Sequence, residues 1–107
     1  MGATHQVYLS LGSNLQHRFR YLQKGVIAIA EKMGQVLKTS HVYENPAVGF
    51  EGDSFLNACI LVETTLPPEE VLEIALHIDR AHGRMREAHA TGYASRTLDI
   101  DVLLFFV

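Results

Sequence analysis

Val7-Tyr8-Leu9-Ser10-Leu11, followed at once by Gly12-Ser13-Asn14, sets the plan of the chain. Side chains alternate across a strand, and Val7, Leu9 and Leu11 fall on one side of that alternation. The period then changes. Leu15, Phe19, Leu22, Val26, Ile29 and Met33 recur at steps of four and three, which places them on one face of a helix. Gly12-Ser13-Asn14 reads as the turn between the two, with Ser13 or Asn14 placed to cap the helix. Gly34 stops it. An amphipathic helix that leaves a strand in this way needs a sheet to cover.

The rest of the chain supplies that sheet. Residues 36–43 read as a second strand. Residues 44–54, with Pro46, Gly49 and Gly52, read as a long loop, and 55–63 as a third strand. Pro67, Pro68, Glu69 and Glu70 begin a second helix, since proline and carboxylates suit a first turn. Val71, Ala75, Ile78 and Ala81 form its apolar stripe, and Gly83 is its terminator. Residues 84–95 are polar and read as a loop; 98–105 form the last strand. The order is β-α-β-β-α-β. The expected fold is α+β: a ferredoxin-like sandwich with a four-stranded antiparallel sheet, two helices on one face and the other face open. No repeat, low-complexity tract or linker interrupts it, so residues 1–107 read as one domain.

Composition narrows the function classes. The 107 residues are 48% hydrophobic, which is globular, and the net charge of -3 favours neither a nucleic-acid binder nor a membrane-surface protein. No apolar run approaches the ~20 residues that span a bilayer. The lone cysteine, Cys59, excludes an internal disulfide and points to a reducing, cytoplasmic setting. It sits in the apolar run 56–62 and reads as core. Residues 1–6 carry no signal-peptide pattern. Charge is uneven, however. Arg80, Arg84, Arg86 and Arg96 cluster with only Glu87 among them, and Asp99 and Asp101 follow directly.

Those two aspartates are the strongest chemical signal. In Arg96-Thr97-Leu98-Asp99-Ile100-Asp101-Val102-Leu103-Leu104-Phe105, alternation puts Leu98, Ile100, Val102 and Leu104 on one face and both carboxylates on the other. Two carboxylates at i and i+2 in an apolar strand repel each other, and a cation removes that cost. Magnesium takes one or two carboxylates and completes its shell with water and phosphate oxygens. The plainer reading is an exposed strand face that tolerates Asp, but Asp is a poor strand former and two in alternation need a cause. Phe55 and Asn57 alternate likewise, opposite to Leu56, Ala58 and Ile60. A ring and an amide side by side can stack on a flat heterocycle and bond its edge; by themselves they equally read as a minor packing pair. Arg84, Arg86 and Arg96 suit phosphate, or else form a solvated basic loop. The P-loop spacing is absent after Gly12. The six histidines show no metal-ligand spacing, and Tyr43 reads as packed.

In this order the motifs resemble the hydroxymethyldihydropterin pyrophosphokinase family. The matching pieces are Leu11-Gly12-Ser13-Asn14, Tyr43 with Asn45-Pro46-Ala47-Val48-Gly49, Phe55-Leu56-Asn57-Ala58, Glu63-Thr64 with Leu66 and Pro68, Gly83-Arg84, and Arg96 to Phe105. The resemblance implies diphosphate transfer from ATP to 6-hydroxymethyl-7,8-dihydropterin. It implies two magnesium ions on Asp99 and Asp101. It places Asn57 on the pterin ring edge, Phe55 on the ring, and Asn45, Ala47 and Val48 along the same pocket. It sets Arg84 and Arg96 on phosphates, and Arg86 and Asp79 on the ATP side, with Asp79 standing where the family has Glu. The departures are Asn45 in place of Thr, a longer 84–96 stretch with Tyr93 as its aromatic, and a family chain that continues several tens of residues past the last strand.

Two other readings share the sequence: a non-catalytic pterin or nucleotide binder, and an RNA-binding module of the same topology. The second needs exposed aromatics and a basic sheet, whereas this face carries carboxylates. A homodimer is the expected cover for the bare last strand and open sheet face.

Overall fold

The computed structural model describes residues 3–14, 17–45, 54–82 and 98–106. In chain order the elements are β1 (His5–Ser13), α1 (Arg18–Lys32), β2 (Gln35–Thr39), β3 (Tyr43–Asn45), β4 (Phe55–Thr64), α2 (Pro68–His82) and β5 (Asp99–Phe106). The strands pair antiparallel in the order β2-β4-β1-β5, with β3 also on β4. This is the ferredoxin-like arrangement, with β4 and β5 flanking β1.

The sheet has five strands where four were expected, because the second is in two pieces. β2 pairs the far half of β4, with Gln35 opposite Glu63 and Thr39 opposite Ile60. β3 pairs its start, with Tyr43 opposite Asn57 and Asn45 opposite Phe55. At the break, the Ser40 N–H donates to the Cys59 carbonyl, and the Ser40 hydroxyl accepts from the Cys59 N–H, both at 2.8 Å. A side-chain oxygen thus replaces a backbone acceptor. The ladder stops there, so His41 lies between strands and is exposed, not within one.

The core lies between the helices and one sheet face. Val7, Leu9 and Leu11 from β1 and Ile60 and Val62 from β4 meet Leu22 and Ile29 of α1, Met33 at its C-cap, and Val71, Ala75 and Ile78 of α2. Each large aliphatic side chain so buried contributes about 1.5–3 kcal/mol. Gly25 lets α1 sit close to the sheet: a Cβ there would lie 2.9 Å from Leu11 Cδ2 and 3.1 Å from Leu98 Cδ2. Gly34 acts in the same way at the end of α1, where a Cβ would strike the Glu63 carbonyl. Beside it the buried Thr64 hydroxyl donates to the Met33 carbonyl at 2.6 Å and accepts from the Leu66 N–H at 3.1 Å.

Four sequence expectations need correction. Neither Ser13 nor Asn14 caps α1: Ser13 ends β1 and both are buried, while His17 occupies the N-cap at φ 63° with no side-chain cap bond. Phe19 is 53% exposed, because the buried stripe of α1 begins one turn later at Leu22. Ala81 is exposed as the stripe of α2 ends at Ile78. Leu104 does not share the face of Ile100 and Val102. The register of β5 on β1 shifts between Tyr8 and Leu9, so Val102 faces Leu9 but Leu104 faces Tyr8 and Phe105 faces Val7. The extra residue turns Phe105 onto the core and leaves Leu104 exposed. The terminator expected at Gly83 lies outside the described residues. Among the described residues no helix is long and apolar enough to cross a membrane.

Candidate functional site

Residues directly opposite in an antiparallel pair share a face. On the face away from the helices, Asp99 of β5 stands opposite Gly12 of β1, Gly12 opposite Asn57 of β4, and Asn57 opposite Tyr43 of β3. One row therefore crosses four strands. The adjacent row holds Asp101, Ser10 and Cys59. Phe55, opposite Asn45, lies on the other side of Asn57. The two carboxylates and the Phe55–Asn57 pair, 42 or more positions apart in sequence, are thus brought to one surface. With strands about 4.8 Å apart, the backbones of Asp99 and Asn57 are separated by roughly 10 Å. Asp99 is half-buried at the floor, and Asp101 is exposed.

Gly12 fills the middle of the row and presents no side chain. A Cβ there would lie 2.9 Å from Asn57 Oδ1 and 3.5 Å from Phe55 Cδ1. The Asn57 amide therefore reaches sideways off β4 and over the β1 backbone. Its capacity for a metal is judged from its donor set. Among the described residues no group of three or more His, Cys, Asp or Glu could cage an ion. A pair of carboxylates on one strand face instead suits magnesium that shares its shell with phosphate oxygens and water.

Sequence reasoning missed two further features of this surface. Arg18, at the start of α1, donates from Nη1 to Glu44 Oε2 at 3.0 Å and to the Ser54 carbonyl at 2.7 Å. It thereby ties together the two ends of the segment between β3 and β4. No local pattern marks this role, since the partners lie 26 and 36 residues away. The second is the Tyr43–Cys59 pair. Tyr43 is exposed at 45%, not packed, and Cys59 is a half-buried free thiol on the sheet face away from the helices, not a core residue. The charge that Cys59 would carry on ionising raises the Tyr43 phenol above its ordinary value, and partial burial and the hydrogen bond to the sulfur add to this. Gly12, expected in a turn, lies within β1, where glycine marks a close approach.

The remaining candidates divide simply. Asn45 is exposed at the end of β3. Asp79 is 2% exposed, within α2. Ala47, Val48, Arg84, Arg86, Tyr93 and Arg96 lie outside the described residues.

Comparison with known proteins gives this surface a context. The profile of the 7,8-dihydro-6-hydroxymethylpterin-pyrophosphokinase family matches residues 8–106. A Porphyromonas gingivalis protein named 2-amino-4-hydroxy-6-hydroxymethyldihydropteridine pyrophosphokinase is 38% identical over 102 residues, covering 94% of this chain and 69% of its own. Proteins of the same name from Bacillus subtilis and Aquifex aeolicus are 38% and 36% identical over 100 residues, or 58% and 60% of their lengths. Among solved structures, Plasmodium falciparum HPPK-DHPS superposes with a TM-score of 0.73 at 15% identity, over 99% of this chain and 31% of that one. At that identity the likeness speaks for the fold.

Proposed function

The chain belongs to the 7,8-dihydro-6-hydroxymethylpterin-pyrophosphokinase family, and from that membership we propose that it transfers diphosphate from ATP to 6-hydroxymethyl-7,8-dihydropterin in folate biosynthesis, releasing AMP. The observation that carries the reading is the row Asp99–Gly12–Asn57. It sets a carboxylate and an amide on one sheet face, about two strand spacings apart, which supports a metal ligand and a heterocycle contact there. A flat bicyclic ring with a one-carbon arm bridges such a gap.

In this reading the Asn57 amide bonds the polar edge of the pterin, and Phe55 packs on the ring. Asn45, Ala47 and Val48 line the same pocket. Asp99 and Asp101 would hold magnesium, two ions with ATP bound, and the metal would supply neutralisation of the phosphate charge. Arg84, Arg86 and Arg96 take the phosphates, and Asp79 lies on the nucleotide side. The hydroxymethyl oxygen forms a bond to the β-phosphorus in line with the departing oxygen, which leaves with AMP. Positioning and charge neutralisation supply the rate, with little covalent work for the protein. A reducing compartment, the cytoplasm, suits the free thiol of Cys59. A homodimer covering the exposed Leu103, Leu104 and Phe106 of β5 completes the proposal; a monomer in sedimentation at high concentration would remove that part.

The test is AMP formation from ATP, magnesium and the dihydropterin. Pterin-dependent AMP that stops on chelation supports the reading. Binding of both ligands without AMP would make the chain a binder that does not transfer; binding of neither would leave the family and fold only.

A further inference from the structure

We infer that Gly12 is a positioning residue for substrate recognition: its missing side chain is what allows the Asn57 amide to lie across β1. The inference deepens the reading above and rests on it.

Glycine in a strand interior weakens the strand, so its presence there calls for a reason. Two reasons are usual: a backbone angle that other residues avoid, or a lack of room. Gly12 has no positive φ, so its backbone is one that alanine can adopt. What remains is room. Its two faces are unequal in this respect, since the nearest atoms to a Cβ belong to Asn57 and Phe55 on the face away from the helices, not to the core. The contact to Phe55 Cδ1 at 3.5 Å is ordinary, but the contact to Asn57 Oδ1 at 2.9 Å is shorter than real Cβ atoms tolerate.

The atom that must yield is the free end of a short polar side chain, not backbone. Alanine at position 12 is therefore accommodated by rotating Asn57 away, and the fold is spared. The amide then no longer points over the strip between β4 and β5. Nucleotide contacts lie elsewhere, at Asp99, Asp101 and the arginines, so the loss should be selective for the heterocycle.

The experiment is a double-substitution cycle. Wild type, Gly12→Ala, Asn57→Ala and the double variant are titrated with 6-hydroxymethyl-7,8-dihydropterin by calorimetry, with magnesium and a non-transferable ATP analogue present. Melting temperature and affinity for the analogue alone are recorded for each. Gly12→Ala should melt no lower than wild type, because alanine has less chain entropy to lose than glycine. It should bind the analogue within about twofold and bind the pterin about tenfold more weakly, the scale of one lost hydrogen bond. The double variant should bind pterin no more weakly than Asn57→Ala, as the glycine acts through the amide. Wild-type pterin affinity in Gly12→Ala, or additive losses in the double variant, overturns the inference and leaves the function standing. A wild type that binds nucleotide but no pterin overturns the function, and the inference with it.

Discussion

If Asp99 and Asp101 are metal ligands, Asp101→Asn should cut the stabilisation that magnesium nucleotide gives to about a third, while leaving the bare fold intact. Its size follows from linkage. A ligand held at one hundred times its Kd stabilises the native state by about 2.7 kcal/mol. At ~2.1 cal/mol/K per residue, 107 residues unfold with about 0.22 kcal/mol/K of entropy, so the wild-type melting temperature should rise by about 12 °C. Asp101 is exposed, so a water-like dielectric applies. One carboxylate charge about 4 Å from a divalent ion is then worth about 2 kcal/mol, or about thirtyfold in Kd. At the same ligand concentration the ratio to Kd falls to about three, and the shift to about 4 °C. The substitution is nearly isosteric on a surface position, so without ligand the melting temperature should move by a few degrees at most. Scanning fluorimetry of both proteins, with magnesium alone, the nucleotide alone and the two together, reads all of these values. An undiminished shift in Asp101→Asn would refute the metal assignment.

Other substitutions probe the surrounding structure. Arg18→Ala removes a charge-assisted bond to the Ser54 carbonyl and a partly exposed ion pair, and should cost about 1–2 kcal/mol in urea unfolding while raising the KM for pterin more than that for ATP. Phe105→Ala should destabilise by about 2–3 kcal/mol and Leu104→Ala by less than ~1 kcal/mol, since the shifted register packs the half-buried first against the core and exposes the second; equal losses would contradict the shift. The Tyr43 phenol, followed by its ultraviolet absorbance, should titrate above 10.0 and return toward that value in Cys59→Ala. Because the folded value is the higher one, its contribution to stability is complete below pH 10 and is lost as the pH rises through the raised value.

Much of this was legible in the sequence because strand and helix periods are local. The alternation of Val7, Leu9 and Leu11, and of Ile100 with Asp99 and Asp101, is a property of a few consecutive residues, and the structure honours it. What escaped was non-local or cumulative. Leu104 was misplaced because period-two counting assumes an unbroken register, and a single shift reverses every later side chain. The second strand was read as continuous because nothing in residues 36–43 reveals that the Ser40 hydroxyl takes a backbone bond from Cys59. Cys59 looked like core since its neighbours are apolar; Ala58 and Ile60 face the helices, and the intervening position faces Tyr43. The aspartates and Asn57 stand out in the sequence as candidates for chemistry, but that Asp99 and Asn57 stand in one row across Gly12 is a fact of strand pairing that no sequence window contains.

That row also explains why a sheet suits this task. Asp99, Gly12, Asn57 and Tyr43 come from four separate strands, and their spacing is set by backbone hydrogen bonds, which hold positions more firmly than loops do. A one-residue slip between any two strands would send a functional side chain into the core, so the register must be secure where the site lies. The nine consecutive pairs from His5–Thr64 to Ser13–Leu56 run without interruption. The register shifts between Tyr8 and Leu9 on β5's side and between Val36 and Lys38 in β2 fall toward the far end of the sheet, and the break between β2 and β3, at Ser40 beside Cys59, lies on the outer side of β4 and leaves the β1–β4 pairing whole. There the bulge in β5 does useful packing by turning Phe105 inward, at a distance where the resulting twist leaves Gly12 and its neighbours in place. The unbroken β1–β4 pairing thus carries the centre of the proposed recognition surface, and the shifts beyond it adjust the core to close beneath.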